Sequence, residues 1–172
     1  VKSDLGTDYS FFWNGSFWGY ACDVWSSTAP DKLLQYEFDK KGLFKNRKAW
    51  KLEGLRNASP FVQGDELYLC QQNGAEGTVS VYRMMEPGMT EVFMESAIIG
   101  EFTWCYLVNV GEAACEFIGF RENEVHRLTI GKSGQMLEQK HIYVMDDTAF
   151  YSIMDFQVLA DGRVVVAYVC EN

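Results

Sequence analysis

Apolar and polar residues alternate with a period of two along most of this chain, and short turns interrupt the alternation. This period is typical of β-strands that bury one face, whereas a helical period is weak throughout. The pattern predicts strands at Ser10–Trp13, Phe17–Trp25, Leu33–Phe38, Ala49–Leu52, Pro60–Gln63, Leu67–Gln71, Thr78–Met84, Glu91–Met94, Thr103–Val108, Ala114–Phe120, Val125–Ile130, Leu137–Val144, Ile153–Leu159 and Val164–Val169.

Glycine turns recur between these strands at a nearly constant interval. One series has gaps of 49, 47 and 51 residues and the second has gaps of 46 and 46. Two interleaved series with one period indicate a repeated unit of about 47 residues with four strands, a to d. Asn-Gly and Asp-Gly supply the positive φ angles that tight hairpins need. The series are Gly15, Gly64, Gly111 and Gly162, and Gly42, Gly88 and Gly134.

The repeat predicts an all-β fold, a β-propeller of about 3.5 four-stranded blades in a single domain that spans residues 1–172 or in part of a larger ring. The repeats cover approximately residues 8–52, 57–97, 101–145 and 151–172. A β-trefoil is the alternative, but it holds twelve strands and the pattern gives fourteen. A closed ring requires a strand from Val1–Thr7, a second chain or further blades.

The third strand aligns between repeats when positions are counted back from its turn glycine. Aromatic or aliphatic residues occupy the sixth and fourth positions in every case, so we expect one common face to be buried. These residues are Tyr36, Tyr82 and Leu128, and Phe38, Met84 and Ile130.

The net charge of −9 disfavours nucleic-acid binding. Between Lys32 and Arg56 the charge is +5, which predicts either a basic hairpin that protects a sheet edge or a contact with an anion or a partner.

No apolar run is long enough to span a membrane. The chain starts at Val1 and shows no secretory signal, as expected of a mature product or of a piece of a longer protein. An extracellular or cell-surface location is favoured.

The five cysteines form no C-x-x-C pair, which argues against zinc and against a disulfide scaffold. We expect them to act as small hydrophobes. Cys105 and Cys115 flank one turn, and a disulfide between them is the alternative. His126 and His141 are expected on strands c and d of one repeat, partly exposed. Neither a metal nor a cofactor is expected.

A candidate ligand site follows from the propeller prediction, because the first residues of the innermost strands converge at the channel mouth. The residues seven before each first-turn glycine are Asp8, Asn57, Trp104 and Asp155. Arg56 and Tyr151 lie in the same connections. Carboxylates and amides bind hydroxyl groups and an indole stacks on a sugar ring, so the group predicts a saccharide ligand. The simpler interpretation is that Asp and Asn only form turns there.

Three short segments resemble propeller glycosidases. Asp8-Tyr-Ser-Phe-Phe-Trp-Asn-Gly-Ser-Phe-Trp resembles the blade opening of arabinanase- and xylosidase-type enzymes, and Ala58-Ser-Pro-Phe-Val-Gln-Gly-Asp-Glu-Leu-Tyr-Leu is similar to their second opening. Val158-Leu-Ala-Asp-Gly-Arg-Val-Val-Val-Ala-Tyr resembles a strand pair of sialidase-like propellers. The resemblance implies that Asp8 is a general base and Glu101 the nearest candidate for the general acid.

Two functions therefore stand as expectations. The first is a carbohydrate-recognising propeller, glycosidase-like or lectin-like, and any enzymatic activity would be glycoside hydrolysis. The second is a non-catalytic structural or protein-interaction propeller within a larger assembly. It rests on the context of Glu101, which departs from the Gly-Pro setting of the family acid, and on the incomplete last repeat.

Overall fold

The computed structural model describes residues 9–22, 30–100, 102–144, 151–159 and 163–170; of residues 151–156, 158 and 166–170 it describes the backbone alone. All fourteen predicted strands are present, and β4 begins five residues earlier than predicted. The strands are β1 (Tyr9–Trp13), β2 (Ser16–Ala21), β3 (Asp31–Phe38), β4 (Phe44–Leu52), β5 (Ala58–Gln63), β6 (Glu66–Asn73), β7 (Thr78–Glu86), β8 (Met89–Ile98), β9 (Trp104–Val110), β10 (Ala114–Arg121), β11 (Glu124–Gly131), β12 (Met136–Val144), β13 (Tyr151–Val158) and β14 (Val164–Cys170).

The strands form antiparallel sheets in simple chain order. Sheet 1 is β1–β4, sheet 2 is β5–β8, sheet 3 is β9–β12 and sheet 4 is the pair β13–β14. The predicted all-β chain of repeated four-stranded units is therefore confirmed. Within the described residues, no helix is long and apolar enough to cross a membrane.

Most of the hairpin turns have the backbone that their sequence predicts. Asn14 and Gly15 have φ angles of 47° and 68°, and Gly64 has 61°. Gly111 is an exception, because it lies in a three-residue loop in which its N–H donates to the carbonyl of Ala114 at 2.8 Å, without a positive φ. Gly162 lies outside the described residues.

The sheets pack face to face in chain order, and their cores lie between them. Between sheets 1 and 2, side chains such as Trp18 and Leu33 meet Leu67 and Leu69. A second core joins sheets 2 and 3, and a third includes Val164 of sheet 4 against the far face of sheet 3. Burial of these apolar faces is what holds one repeat against the next.

The expected common buried face is only partly correct. Met84, Leu128 and Ile130 are buried, whereas Phe38 is 47% exposed. The fourth position packs on the preceding sheet: Met84 contacts the core shared with sheet 1, and Ile130 contacts the core shared with sheet 2. Among the described residues, sheet 1 has no preceding sheet, so Phe38 stays open to solvent beside the rings of Phe17 and its neighbours.

The first strands of successive sheets lie side by side, because β5 contacts both β1 and β9. Two hydrogen bonds tie the far end of β9 to sheet 2. The side-chain amide of Gln63 donates to the carbonyl of Val110 at 2.8 Å, and the N–H of Val110 donates back to Gln63 Oε1 at 2.9 Å. This arrangement brings the beginnings of β1, β5 and β9 to one end of the stack.

Candidate functional site

A cavity of about 440 Å³ lies where β1, β5 and β9 begin and β2 and β6 end. The cavity is lined by aromatic side chains, neutral polar side chains and cysteines. The residues that line it are Tyr9, Cys22, Asn57, Ala58, Ser59, Cys70, Gln72, Gly74, Thr103, Trp104, Cys105 and Tyr106.

Asn57 is held at the rim by the buried residues around it. Its φ of 52° lies in the left-handed region, which asparagine tolerates better than most residues. Leu55 and Ala58 are buried on either side of it. The N–H of Ala58 donates to the buried carboxylate of Asp31 at 3.1 Å, and Tyr20 Oη donates to the same oxygen at 2.5 Å. The backbone at Asn57 is therefore fixed, while its side chain is exposed at the rim.

Trp104 is the most exposed aromatic residue of the cavity, at 56%. The residues before and after it are tied down. Thr103 N–H donates to the carbonyl of Phe120 at 2.9 Å, and Cys105 N–H donates to Gln72 Oε1 at 2.9 Å. Gln72 Nε2 also donates to the carbonyl of Thr103 at 3.0 Å. The indole is therefore presented to solvent from a rigid strand start.

Tyr9 lies across the cavity and connects sheet 1 to sheet 2. Its hydroxyl lies 3.2 Å from Ser59 Oγ, and its ring meets Tyr20 edge to face with centroids 6.4 Å apart. Burial raises the pKa of Tyr106, and Tyr9 and Cys105 add to the shift. Tyr9 of sheet 1 and Tyr106 of sheet 3 thus line the same cavity.

The thiols of Cys70 and Cys105 in the cavity stay protonated. Burial raises the pKa of Cys70 to about 12 and raises that of Cys105 as well. The thiol of Cys70 points to the carbonyl of Cys105 at 4.0 Å. Protonated thiols are weak nucleophiles, so these cysteines serve as packing groups. Cys105 and Cys115 are both free, which answers the question of a disulfide between them.

Two of the predicted site residues, Asn57 and Trp104, line this one cavity. Arg56 is exposed next to Asn57 and does not line it. Asp8 and Glu101 lie outside the described residues, and so do the side chains of Tyr151 and Asp155.

The equivalence assumed for Asp155 is wrong. Asp155 lies inside β13, paired with Ala167, and Tyr151 begins that strand. The connection between β13 and β14 spans residues 159–163, whereas the turn after β5 holds only Gly64 and Asp65. A count back from the glycine therefore ends too far along β13.

Several cavity residues are not indicated by the sequence pattern. Tyr9, Thr103 and Tyr106 are adjacent to, or two residues from, predicted positions, so a slightly wider window would have found them. Gln72 and Cys70 come from β6, which lies outside the counted positions because that strand returns to the cavity from the opposite direction.

The two histidines do not line this cavity. As predicted, His126 and His141 lie on β11 and β12, the third and fourth strands of one sheet. They pair across these strands, and their ring centroids are 5.2 Å apart. The expectation of partial exposure is wrong for His126, which is buried because the ring of Phe102 covers it. Its Nε2 lies 2.9 Å from Glu124 Oε2.

No family model, no curated protein and no solved structure matches this chain. The resemblance to propeller glycosidases accordingly stays a prediction from three short segments.

Proposed function

We propose that this chain is a carbohydrate-recognising module that binds a saccharide in the cavity between β1, β5 and β9. One observation carries the proposal. Asn57 immediately precedes β5 and Trp104 begins β9, and both line the same cavity of about 440 Å³. A volume of this size falls in the range of small-molecule sites.

The chemistry of the lining supports a neutral, hydroxyl-rich ligand. The indole of Trp104 and the ring of Tyr9 are exposed and offer flat apolar faces to the C–H side of a sugar ring. The amide of Asn57 and the hydroxyls of Ser59 and Thr103 offer donors and acceptors beside them. A chain of net charge −9 repels anions at long range, which disfavours phosphate esters and favours neutral glycans.

The wider architecture that we propose around this site is a β-propeller. Its support is the stacking of successive four-stranded sheets and the proximity of their first strands. A β-trefoil would pair strands of different repeats in one barrel, whereas every described ladder stays within its own repeat. Sheet 4 would then begin a fourth blade.

Recognition is the proposed activity, and hydrolysis is the extension of it that the resemblance suggests. Asp8 directly precedes Tyr9 in the sequence, and Glu101 lies two residues before Thr103. In the proposed site these two carboxyl groups are the candidates for general base and general acid. If the chain binds a glycoside but does not hydrolyse it, the function is restricted to binding.

A glycan array followed by titration tests the proposal. The wild-type chain should bind a subset of neutral glycans, and Trp104→Ala and Asn57→Ala should each weaken that binding at least tenfold. Tyr143→Ala is the matched control, because Tyr143 is 55% exposed on β12 and does not line the cavity. An array without binding, or equal affinities in all four proteins, would overturn the proposal.

A further inference from the structure

The most buried residues that line the cavity between β1, β5 and β9 are apolar. Ala58, Cys70 and Cys105 line it and are 1%, 3% and 6% exposed. We call these three residues the cavity floor. Both thiols stay neutral and pack as small apolar groups. A ligand that fills the cavity must therefore place an apolar group on this floor.

The polar groups beside the floor already have hydrogen-bond partners. The N–H of Ala58 donates to Asp31, and the N–H of Cys105 donates to Gln72 Oε1. The amide nitrogen of Gln72 donates to the carbonyl of Thr103 at 3.0 Å, so both ends of this amide are used. Among the described residues, only thiols face a ligand there, and a thiol is a weak donor. A ligand hydroxyl on the floor would lose water without gaining a strong partner, which is costly.

The exposed residues of the cavity, which form its rim, offer a different chemistry. The exposed side chain of Asn57 carries both a donor and an acceptor in one amide group. Ser59 and Thr103 add hydroxyl groups. Tyr9 and Trp104 are 41% and 56% exposed and offer flat ring faces. The rim therefore suits a sugar ring together with an amide group of the ligand.

Charged ligands fit this cavity poorly. None of the described residues that line it carries a charge. A carboxylate or an ammonium group on the sugar would enter without an opposite charge, and burial of an unpaired charge is costly. The net charge of −9 attracts cations at long range, so a weak affinity for amino sugars would be an effect of the cavity itself.

We propose that the cavity selects sugars that carry an acetamido group, with the methyl group on the floor and the amide group beside Asn57 at the rim. This inference rests on the proposed carbohydrate function and names its ligand class. The parent hexose has a hydroxyl in place of the acetamido group, so it leaves the floor without an apolar partner. An apolar group of this size in an apolar pocket changes affinity by about tenfold or more.

Titration calorimetry of the wild-type chain with matched methyl glycosides tests the proposal. The glycosides of N-acetylglucosamine and N-acetylgalactosamine are each compared with the parent hexose, with the free amino sugar and with the N-glycolyl derivative, whose acyl group ends in a hydroxyl. For at least one of the two sugars, the N-acetyl form should bind about tenfold more tightly than each of its three comparators. The N-glycolyl form tests the floor alone, because it keeps the amide group.

A substitution on the floor tests where the methyl group lies. Cys70→Ser places a hydroxyl there and should reduce the preference for N-acetyl over N-glycolyl by about fivefold. Cys115→Ser is the matched control, because Cys115 is also a buried strand cysteine but does not line the cavity, and it should keep the wild-type preference. Near-UV circular dichroism establishes that each variant keeps its fold; if Cys70→Ser does not, the wild-type ligand series decides.

The outcomes separate this inference from the proposed function. Equal affinities for the N-acetyl sugars and their parent hexoses would overturn the inference and leave carbohydrate recognition standing. The same holds if the glycan array is positive and neither N-acetyl glycoside binds, or if a folded Cys70→Ser keeps the wild-type preference. A glycan array without any binding would overturn the proposed function and this inference with it.

Discussion

Gln72 Oε1 accepts a hydrogen bond from the backbone N–H of Cys105 at 2.9 Å, and this bond joins sheet 2 to the beginning of β9. The other end of β9 is held by Gln63, which exchanges two hydrogen bonds with the backbone of Val110. Two glutamines of sheet 2 thus fix β9 at both ends. The position of Trp104 at the cavity depends on the first of them.

Gln72→Leu should lower both stability and ligand affinity. The substitution keeps the size of the side chain but leaves the N–H of Cys105 and the carbonyl of Thr103 without their partner. A fully buried group without a partner costs about 1–3 kcal/mol, and because these two bonds are part-buried and exposed, we expect a loss at the low end of this range. Urea denaturation should show a loss in that range. Gln71→Leu, the next residue on β6 with its side chain on the opposite face, should cost less than about 0.5 kcal/mol. Equal losses in the two variants would contradict this role of Gln72.

Gly134→Ala should destabilise the protein more than Gly42→Ala, although both glycines have nearly the same φ, 80° and 77°. A left-handed alanine costs about 1–2 kcal/mol in either turn. At Gly134 the added Cβ would also lie 2.6 Å from the carbonyl oxygen of Ser96, whereas at Gly42 nothing lies within 4 Å.

This clash should destabilise Gly134→Ala by about a further 1–3 kcal/mol, a cost that Gly42→Ala does not have. The turn belongs to sheet 3 and Ser96 to sheet 2, so the difference measures how closely the sheets pack. Urea denaturation of both variants gives it directly, and identical midpoints would be inconsistent with the packing described.

Glu124 should make stability depend on pH in the acid range. Hydrogen bonds from Arg121 and then His126 lower its pKa from 4.5 to about 2. A carboxyl group with a lowered pKa contributes its full stabilisation above pH 4.5 and loses it as the pH falls to about 2. Glu124→Gln should flatten this part of the curve of denaturation midpoint against pH. Glu122→Gln, in the same turn, should follow the wild type; parallel curves for all three proteins would refute the assignment.

The strands could be predicted because their signals are local. Period-two alternation and residues such as Gly15, which needs a positive φ, depend on neighbours in the chain. Burial of Cys70 and Cys105 also follows from their apolar surroundings. The sequence therefore predicts the four-stranded repeat and most of its turns.

The cavity could be predicted only in part, because it depends on contacts between repeats. The bond between Gln72 and Cys105 spans 33 residues, and a glutamine in a strand has no local sign of such a partner. Asp155 was misplaced because the connection after β13 is longer than the other first turns. The exposed face of Phe38 likewise depends on which sheet precedes it.

The most direct test of the central claim is an NMR titration that observes the indole N–H signals of the five tryptophans. Neutral saccharides are added to the wild-type chain, and Trp104→Phe assigns one signal. The account predicts that a saccharide shifts the Trp104 signal most strongly and that the shift saturates. No shift with any saccharide, or a shift confined to other indoles, would contradict it.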